Sequence, residues 1–170
     1  MPLNLELKVE IKSFEKIRIL LKDLNARFIK TLNQKDIYYK IKDGLLKLRI
    51  ENGEQSIIKY LRDEKGNDRF SDYEFLRFES GNAEKFFKSI FKIEAVVQKK
   101  RLLYLYDNTR IHIDSVKGLG NFLELETLVL KGKNDAKKRF NYIKNVLELD
   151  NLPELKKSYR DLIISAKKAI

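Results

Sequence analysis

The sequence predicts an α+β fold: an eight-stranded antiparallel β-barrel forming a tunnel with a charged interior, flanked by outer α-helices. Three observations carry this. Charged and aliphatic residues alternate with period two in stretch after stretch, which sorts them onto opposite faces of strands. The order strand, helix, three strands occurs twice, and the strand after each helix carries a Gln-Lys pair, Gln34-Lys35 and Gln98-Lys99. Eight strands with helices outside them close well as a barrel, which also removes the exposed edges of a long sheet. The aliphatic faces then point outward to the helices and the charged faces point in.

Leu3 to Lys12 is the clearest strand, with Leu3, Leu5, Leu7, Val9 and Ile11 on one face and Asn4, Glu6, Lys8, Glu10 and Lys12 on the other. Ser13 offers an N-cap, and Phe14, Ile17, Leu20, Leu21, Leu24 and Phe28 follow at helical spacing, with Asn25 as a stop. Three strands come next: Gln34 to Ile41, Leu45 to Glu51 with Lys47 and Arg49 on one face, and Gln55 to Arg62 with Lys59. The Asn52-Gly53 pair between two alternating runs predicts a tight hairpin. Asp63 to Asp68 reads as a polar loop, and Ser71 to Glu79 as a strand. Asn82 opens a short helix expected to pack Phe86, Phe87, Ile90 and Phe91 inward. Val96 to Tyr106 is a strand with Lys99 and Arg101 on one face. Arg110 to Leu130 forms two strands around Lys117-Gly118-Leu119-Gly120-Asn121. Asn134 is expected to cap a third helix, and Ser158 to start a last one after the break at Pro153.

At 170 residues the length suits one domain with a real core, and the apolar content of 43% is ordinary for a globular chain. No apolar run approaches the roughly 18 residues of a membrane span. There is no signal-peptide pattern, and the absence of cysteine removes disulfides and thiolate metal sites. The cytoplasm is the expected compartment. The net charge of +11 favours polyanionic partners, nucleic acid or phosphorylated small molecules, against the plainer alternative of a lysine-rich solvated surface. Within Lys99-Lys100-Arg101 alternation sends Lys100 to the face opposite its neighbours, and no aromatic stacking motif of the single-strand-binding kind is present, which argues against nucleic acid.

An interior lined by Glu6, Asp114, Glu124 and Glu126 beside Lys8, Lys47, Arg49, Lys59, Lys99 and Arg101 makes little sense for stability, because buried charges are costly even when paired. It makes sense if a ligand completes it. Clustered Lys and Arg suit phosphate oxygens, and clustered carboxylates suit Mg²⁺ or Mn²⁺. Together they describe a metal-bound polyphosphate.

The segments Asn4-Leu5-Glu6-Leu7-Lys8, Asp36-Ile37-Tyr38, Leu48-Arg49, Lys59 and Lys99 with Arg101 carry a resemblance to a known family. So do Asp114-Ser115-Val116-Lys117-Gly118-Leu119-Gly120, Leu123-Glu124-Leu125-Glu126 and Ser158-Tyr159-Arg160. In their order and spacing the chain resembles the CYTH-domain proteins, or triphosphate tunnel metalloenzymes, and within them the class IV adenylyl cyclases. The resemblance implies a single CYTH-like domain over residues 1–170. It also implies Mg²⁺ or Mn²⁺ as cofactor and a nucleoside, organic or inorganic triphosphate as substrate. By resemblance and facing, Glu6, Glu124, Glu126 and Asp114 are the metal ligands, and Lys8, Arg49, Lys59, Lys99 and Arg101 hold phosphate. Lys47, Arg160, His112 and Asn4 are further candidates. The family's first strand carries Glu-x-Glu-x-Lys, where this chain has Asn4-x-Glu6-x-Lys8, a neutral amide in place of a carboxylate. His112 is read either as a catalytic base or as a hydrogen-bonded structural residue. Three functions stay open at this level: adenylyl cyclase, triphosphatase such as a thiamine triphosphatase, and non-catalytic nucleotide or polyphosphate binder. Both a monomer and a homodimer are compatible with the sequence.

Overall fold

In the computed structural model the described residues are 3–62 and 69–168, with side chains described for 3–59 and 74–167. Eight strands and four helices follow one another as β1 (Leu3–Glu10), α1 (Phe14–Asp23), β2 (Arg27–Tyr39), β3 (Leu45–Glu51), β4 (Glu54–Arg62) and β5 (Arg69–Phe78). Then come α2 (Ala83–Ile90), β6 (Ile93–Tyr106), β7 (Thr109–Val116), β8 (Gly120–Leu128), α3 (Lys133–Val146) and α4 (Tyr159–Lys168). The strands close into a barrel in the order β1-β5-β4-β3-β2-β6-β7-β8, every neighbouring pair antiparallel.

The alternation decides which face of the barrel is wet. Leu5, Leu7 and Val9 of β1, Ile111 and Ile113 of β7, and Leu123 and Leu125 of β8 point outward. They bury against Ile17 and Leu21 of α1 and against Phe140 and Ile143 of α3, in one apolar layer. On another part of the wall, Ile37, Tyr39, Leu48 and Ile57 pack under Ala83, Phe87 and Phe91 of α2. The core therefore lies between barrel and helices, and the barrel's interior is left to the polar half of each strand, an inversion of the usual small barrel.

A third apolar cluster sits inside. Tyr38, Val97, Val116 and Phe122, the inward residues at one end of their strands, meet Tyr159, Leu162 and Ile163 of α4. α4 thus covers that end of the tunnel. The connection to α4 is tied to β1 by backbone hydrogen bonding, with the Leu155 N–H donating to the Lys8 carbonyl at 2.8 Å.

Local signals explain most boundaries. The Ser13 hydroxyl accepts from the Lys16 N–H at 3.2 Å, capping α1 as expected. Asn52 and Gly53 take φ of 50° and 92°, the left-handed pair a two-residue hairpin needs. Three expectations need correction. Phe28 belongs to β2, not α1, because Asn25 turns left-handed at φ 57° and ends the helix first. Phe86 and Ile90 of α2 are exposed, since only the Phe87–Phe91 stripe faces the barrel. The cap of α3 is Gly132, two residues before Asn134. The expected loop at Asp63 to Asp68 lies outside the described residues. No described helix is long and apolar enough to cross a membrane.

Candidate functional site

Inward positions follow directly from the register. β1 contributes Asn4, Glu6 and Lys8, and pairs them across with Leu128, Glu126 and Glu124 of β8. β7 contributes Arg110, His112 and Asp114, opposite Glu126, Glu124 and Phe122. β6 contributes Lys99 and Arg101; β2 contributes Gln34 and Asp36; β3 contributes Lys47 and Arg49. Cross-strand partners share a face, so these side chains converge.

Two bidentate forks organise the charges. Arg49 donates through Nε and Nη2 to the two oxygens of Asp36, both at 2.7 Å, and Lys47 lies 3.1 Å from Asp36 Oδ2. Arg101 makes the same fork to Asp114, both bonds at 2.6 Å, and also donates to Glu124 Oε2. Asp114 is fully buried, and its Oδ2 further accepts from the Tyr159 hydroxyl at 2.9 Å and lies 3.6 Å from Lys99 Nζ. Lys8 Nζ lies 3.1 Å from Glu124 Oε1, donates to the Lys157 carbonyl at 3.2 Å, and sits 4.0 Å above the Tyr159 ring. Such charge-assisted bonds are the strong kind, and here they are what makes a dry ionic interior tolerable.

Protonation follows. Burial alone would raise the Asp36 carboxyl, but Arg49 and Lys47 outweigh it and hold the group well below the usual carboxylate range. Asp114 is held low against burial by Arg101 and Lys99, and Glu124 by Lys8 and Arg101. Lys99 moves the other way: burial, aided by the neighbouring Arg101, lowers its ammonium to about 7. Burial and Arg101 also lower His112, which favours the neutral imidazole.

Beyond the forks, further from α4 along β7 and β8, lies a cluster of metal-ligand type. One ligand atom each from His112, Glu124 and Glu126 falls within 4.8 Å of the others. Glu6 faces Glu126 directly across the β1–β8 pair. Two buried atoms on this inner surface, His112 Nδ1 and Asn4 Oδ1, have no hydrogen-bond partner among the described residues. Carboxylates gathered beside unsatisfied donor atoms fit a divalent cation, and a protein interior rarely leaves such atoms unpaired without cause.

Of the residues expected in the site, the tunnel brings together Asn4, Glu6, Lys8, Lys47, Arg49, Lys99, Arg101, His112, Asp114, Glu124 and Glu126. Lys59 is a correction. It pairs with Leu46 and Glu74, shares the outward face of Ile57, and is exposed, because β4 turns Ser56 and Ile58 inward instead. Arg160 sits on α4, paired with Glu94 at 3.1 Å. Asp114 is placed as the counter-ion of Arg101 and Lys99 and does not join the His112 cluster. Sequence reasoning passed over Asp36 and Tyr159 as site residues. The spacing could have found Asp36, since both forks join residues 13 apart.

Residues 3–157 match the CYTH domain family. The chain belongs to the CYTH family. A protein of Methanocaldococcus jannaschii that bears the name "putative adenylate cyclase" is 28% identical over 177 residues, covering 94% of this chain and 98% of its own. A protein of Pyrococcus horikoshii has a solved structure that superposes with a TM-score of 0.80 at 26% identity, over 94% of this chain and 98% of that one. A Hippeastrum protein described as a putative adenylyl cyclase with a dominant triphosphatase activity shares the fold at a TM-score of 0.66 and 11% identity, over 98% and 96% of the two chains.

Proposed function

We propose that this CYTH protein is a metal-dependent enzyme that binds the phosphate chain of a triphosphate inside the tunnel and cleaves it, as an adenylyl cyclase converting ATP to cyclic AMP and pyrophosphate. The observation that carries the reading is the arrangement of the interior: Lys8, Lys47, Arg49, Lys99 and Arg101 gather around the two forks, and Glu124, itself held by Lys8 and Arg101, leads on to Glu126 and His112. In the ligand-free arrangement these groups neutralise one another. A metal–triphosphate complex offers each set a better partner at once, phosphate oxygens for the cations and a dication for the carboxylates, so the two bind together.

The roles follow from geometry. Arg101 and Arg49 present planar forks that suit two phosphate oxygens each, while Lys8, Lys47 and Lys99 supply adjustable point charges. The guanidinium charge of the two arginines is in place before the ligand arrives, so negative charge developing on the phosphates meets cations already in position. α4 closes one end with Tyr159, which keeps water from the forks on that side. Glu124 and Glu126, with Glu6 nearby, would hold Mg²⁺ or Mn²⁺, which supplies charge neutralisation and polarises phosphorus. In cyclisation the ribose 3′-oxygen bonds to the α-phosphorus, the bond from that phosphorus to the bridging oxygen breaks, and pyrophosphate leaves.

A second reading is hydrolysis of an inorganic or organic triphosphate, with water attacking the terminal phosphorus. It is favoured by the charged groups themselves, which address phosphate and metal rather than a base or sugar. Both readings place the protein among cytoplasmic enzymes, with no role for membrane or nucleic acid. Incubation with ATP or inorganic triphosphate and Mn²⁺ or Mg²⁺, followed by product analysis, tests them. Cyclic AMP with pyrophosphate is expected; orthophosphate instead selects hydrolysis, and intact substrates under all conditions overturn the enzymatic reading.

A further inference from the structure

His112 is the residue that neither charge segregation nor phosphate binding explains. It is 5% exposed and faces inward between Leu103 of β6 and Glu124 of β8. Its Nδ1 lies 3.6 Å from Glu126 Oε1 and 3.9 Å from Glu124 Oε2, too far from either for a hydrogen bond. By these distances Nδ1 has no hydrogen-bond partner among the described residues. An imidazole buried against two carboxylates would ordinarily settle at hydrogen-bonding distance from one of them. This one stands back at a spacing that ligand atoms take around a common cation with bonds of about 2.1 Å.

Glu124 is shared with Arg101 and Lys8, whereas Glu126 keeps one oxygen turned toward the imidazole. Arg110 approaches Glu126 through the other oxygen, Oε2, at 2.9 Å, leaving Oε1 toward His112. One dication would meet the nitrogen lone pair and the carboxylates together. The nitrogen also decides which dication. Mg²⁺ demands an octahedron of oxygens, whereas imidazole binds Mn²⁺ tolerably and the later first-row ions well. Asn4, 2% exposed and neutral, supplies no further anionic oxygen to attract a hard ion.

We infer that His112, Glu124 and Glu126 form a mixed nitrogen–oxygen site that takes a first-row transition-metal dication in preference to Mg²⁺. This rests on reading the tunnel as metal-binding but not on any turnover.

The experiment is electron paramagnetic resonance on the tag-free full chain with Mn²⁺ and no substrate, reading nitrogen modulation in the echo envelope. His112 is the only histidine, so labelling histidine with ¹⁵N identifies the ligand without any mutation. A ¹⁴N signal that converts on labelling is expected. His112→Gln, checked by thermal melting, should weaken Mn²⁺ binding by about tenfold or more and Mg²⁺, measured by competition, far less. Absence of bound Mn²⁺, a bound ion without histidine nitrogen, or equal losses for both metals in the variant overturns the inference. If the variant does not fold, the labelled wild type decides alone. A nitrogen signal without triphosphate turnover supports this site and contradicts the enzymatic reading. Turnover with an ion lacking nitrogen does the reverse.

Discussion

The two halves of the barrel run through the same order, β1-α1-β2-β3-β4 and β5-α2-β6-β7-β8, yet they use it oppositely. In the first half Asp36 on β2 is gripped by Arg49 on β3; in the second, Arg101 on β6 grips Asp114 on β7. The fork is the same and its polarity is reversed. The third strands then diverge, β4 turning Ser56 and Ile58 inward where β8 turns Glu124 and Glu126. Asp36 pairs with two cations, Arg49 and Lys47, while Arg101 is shared between Asp114 and Glu124. One half sets two cations, Lys47 and Arg49, on Asp36, and the other gathers three carboxylates, Asp114, Glu124 and Glu126, whose ion pairs are shared among Lys99, Arg101, Arg110 and Lys8. On that division a metal would be held chiefly by the second half, and phosphate from both, by Lys8, Lys47 and Arg49 of the first and Lys99 and Arg101 of the second.

The strongest way to break the comparison is through the anchors. Asp114→Ala strands Arg101 and Lys99 in a dry interior and should cost about 3–5 kcal/mol, the loss expected when one partner of a buried ion pair is removed. Asp36→Ala should cost less, because the Arg49 side chain retains 17% exposure against 5% for Arg101 and can reach water. Urea denaturation of both variants checks the order. An equal or reversed cost would show that the two forks are equivalent and the asymmetry cosmetic.

Function should divide the same way. Glu124→Ala is expected to remove metal-dependent turnover, on the order of 100-fold or more, while sparing triphosphate binding in chelator. Arg101→Ala and Arg49→Ala should weaken triphosphate binding with or without metal by roughly ten- to hundredfold, the worth of a charged hydrogen bond of about 1.5–3 kcal/mol. Calorimetry with and without Mg²⁺ separates these effects. Equal losses in both conditions for all three variants would contradict the division of labour.

How much of this was legible in the sequence differs by element. Leu3 to Lys12 alternates without interruption, so which residues of β1 face the tunnel could be read directly. The same holds for Arg110 to Asp114 and for Leu123 to Glu126, where each charged or polar residue alternates with an aliphatic one. β4 defeats that reading because Ile57 and Ile58 are both apolar, and adjacent apolar residues erase the period that assigns faces. Lys59 was placed inside because it stands alone among aliphatics on its strand as well as by resemblance, and it lies outside by register. Asp36 was hidden by its neighbours: Tyr38 and Tyr39 are both buried, one inside the barrel and one beneath α2. Nor could alternation find Tyr159, which enters the tunnel from a helix. The pairing of Arg101 with Asp114 rather than with another acid depends on register across strands, which no single strand records.

Lys99 sharpens the comparison where the halves meet, since β6 pairs with β2 and Lys99 stands opposite Gln34. Its pKa of about 7, lowered by burial and then by Arg101, means the unfolded chain binds the proton more tightly than the folded one between pH 7 and its ordinary value of 10.5. Stability contributed by this group therefore rises with pH across that window, and the full penalty of burying its charge is present below pH 7. A bound triphosphate reverses the balance by stabilising the ammonium. At pH 8 binding should take up close to one proton, about the whole of what Lys99 lacks, and affinity should fall as pH rises above 7. Calorimetry in two buffers of different ionisation enthalpy reads the uptake, and Lys99→Arg should remove it. Identical heats in both buffers for the wild type would place Lys99 outside the phosphate site.

The smallest expected effect tests where the acidic wall ends. Asn4 lies on β1, next to β8 with its two carboxylates, one inward position beyond Glu6. It is buried, and its Oδ1 has no hydrogen-bond partner among the described residues. Asn4→Glu would put an anionic oxygen on that surface and give Mg²⁺ the kind of ligand it favours. The variant should lower the metal concentration needed for half-maximal turnover severalfold, and more for Mg²⁺ than for Mn²⁺, bringing the two closer together. The opposing term is the cost of a buried carboxylate beside the partly buried Glu6 and Glu126, which without a cation destabilises the fold. The two terms have different signatures. If position 4 reaches the metal, the melting temperature of Asn4→Glu falls in chelator and recovers when Mn²⁺ is added, and direct Mn²⁺ titration shows tighter binding. If it does not, the melting temperature falls equally with and without Mn²⁺ and the metal dependence of turnover is that of the wild type. The second outcome would confine the metal to β7 and β8 and leave Asn4 as part of the wall that the ion never touches.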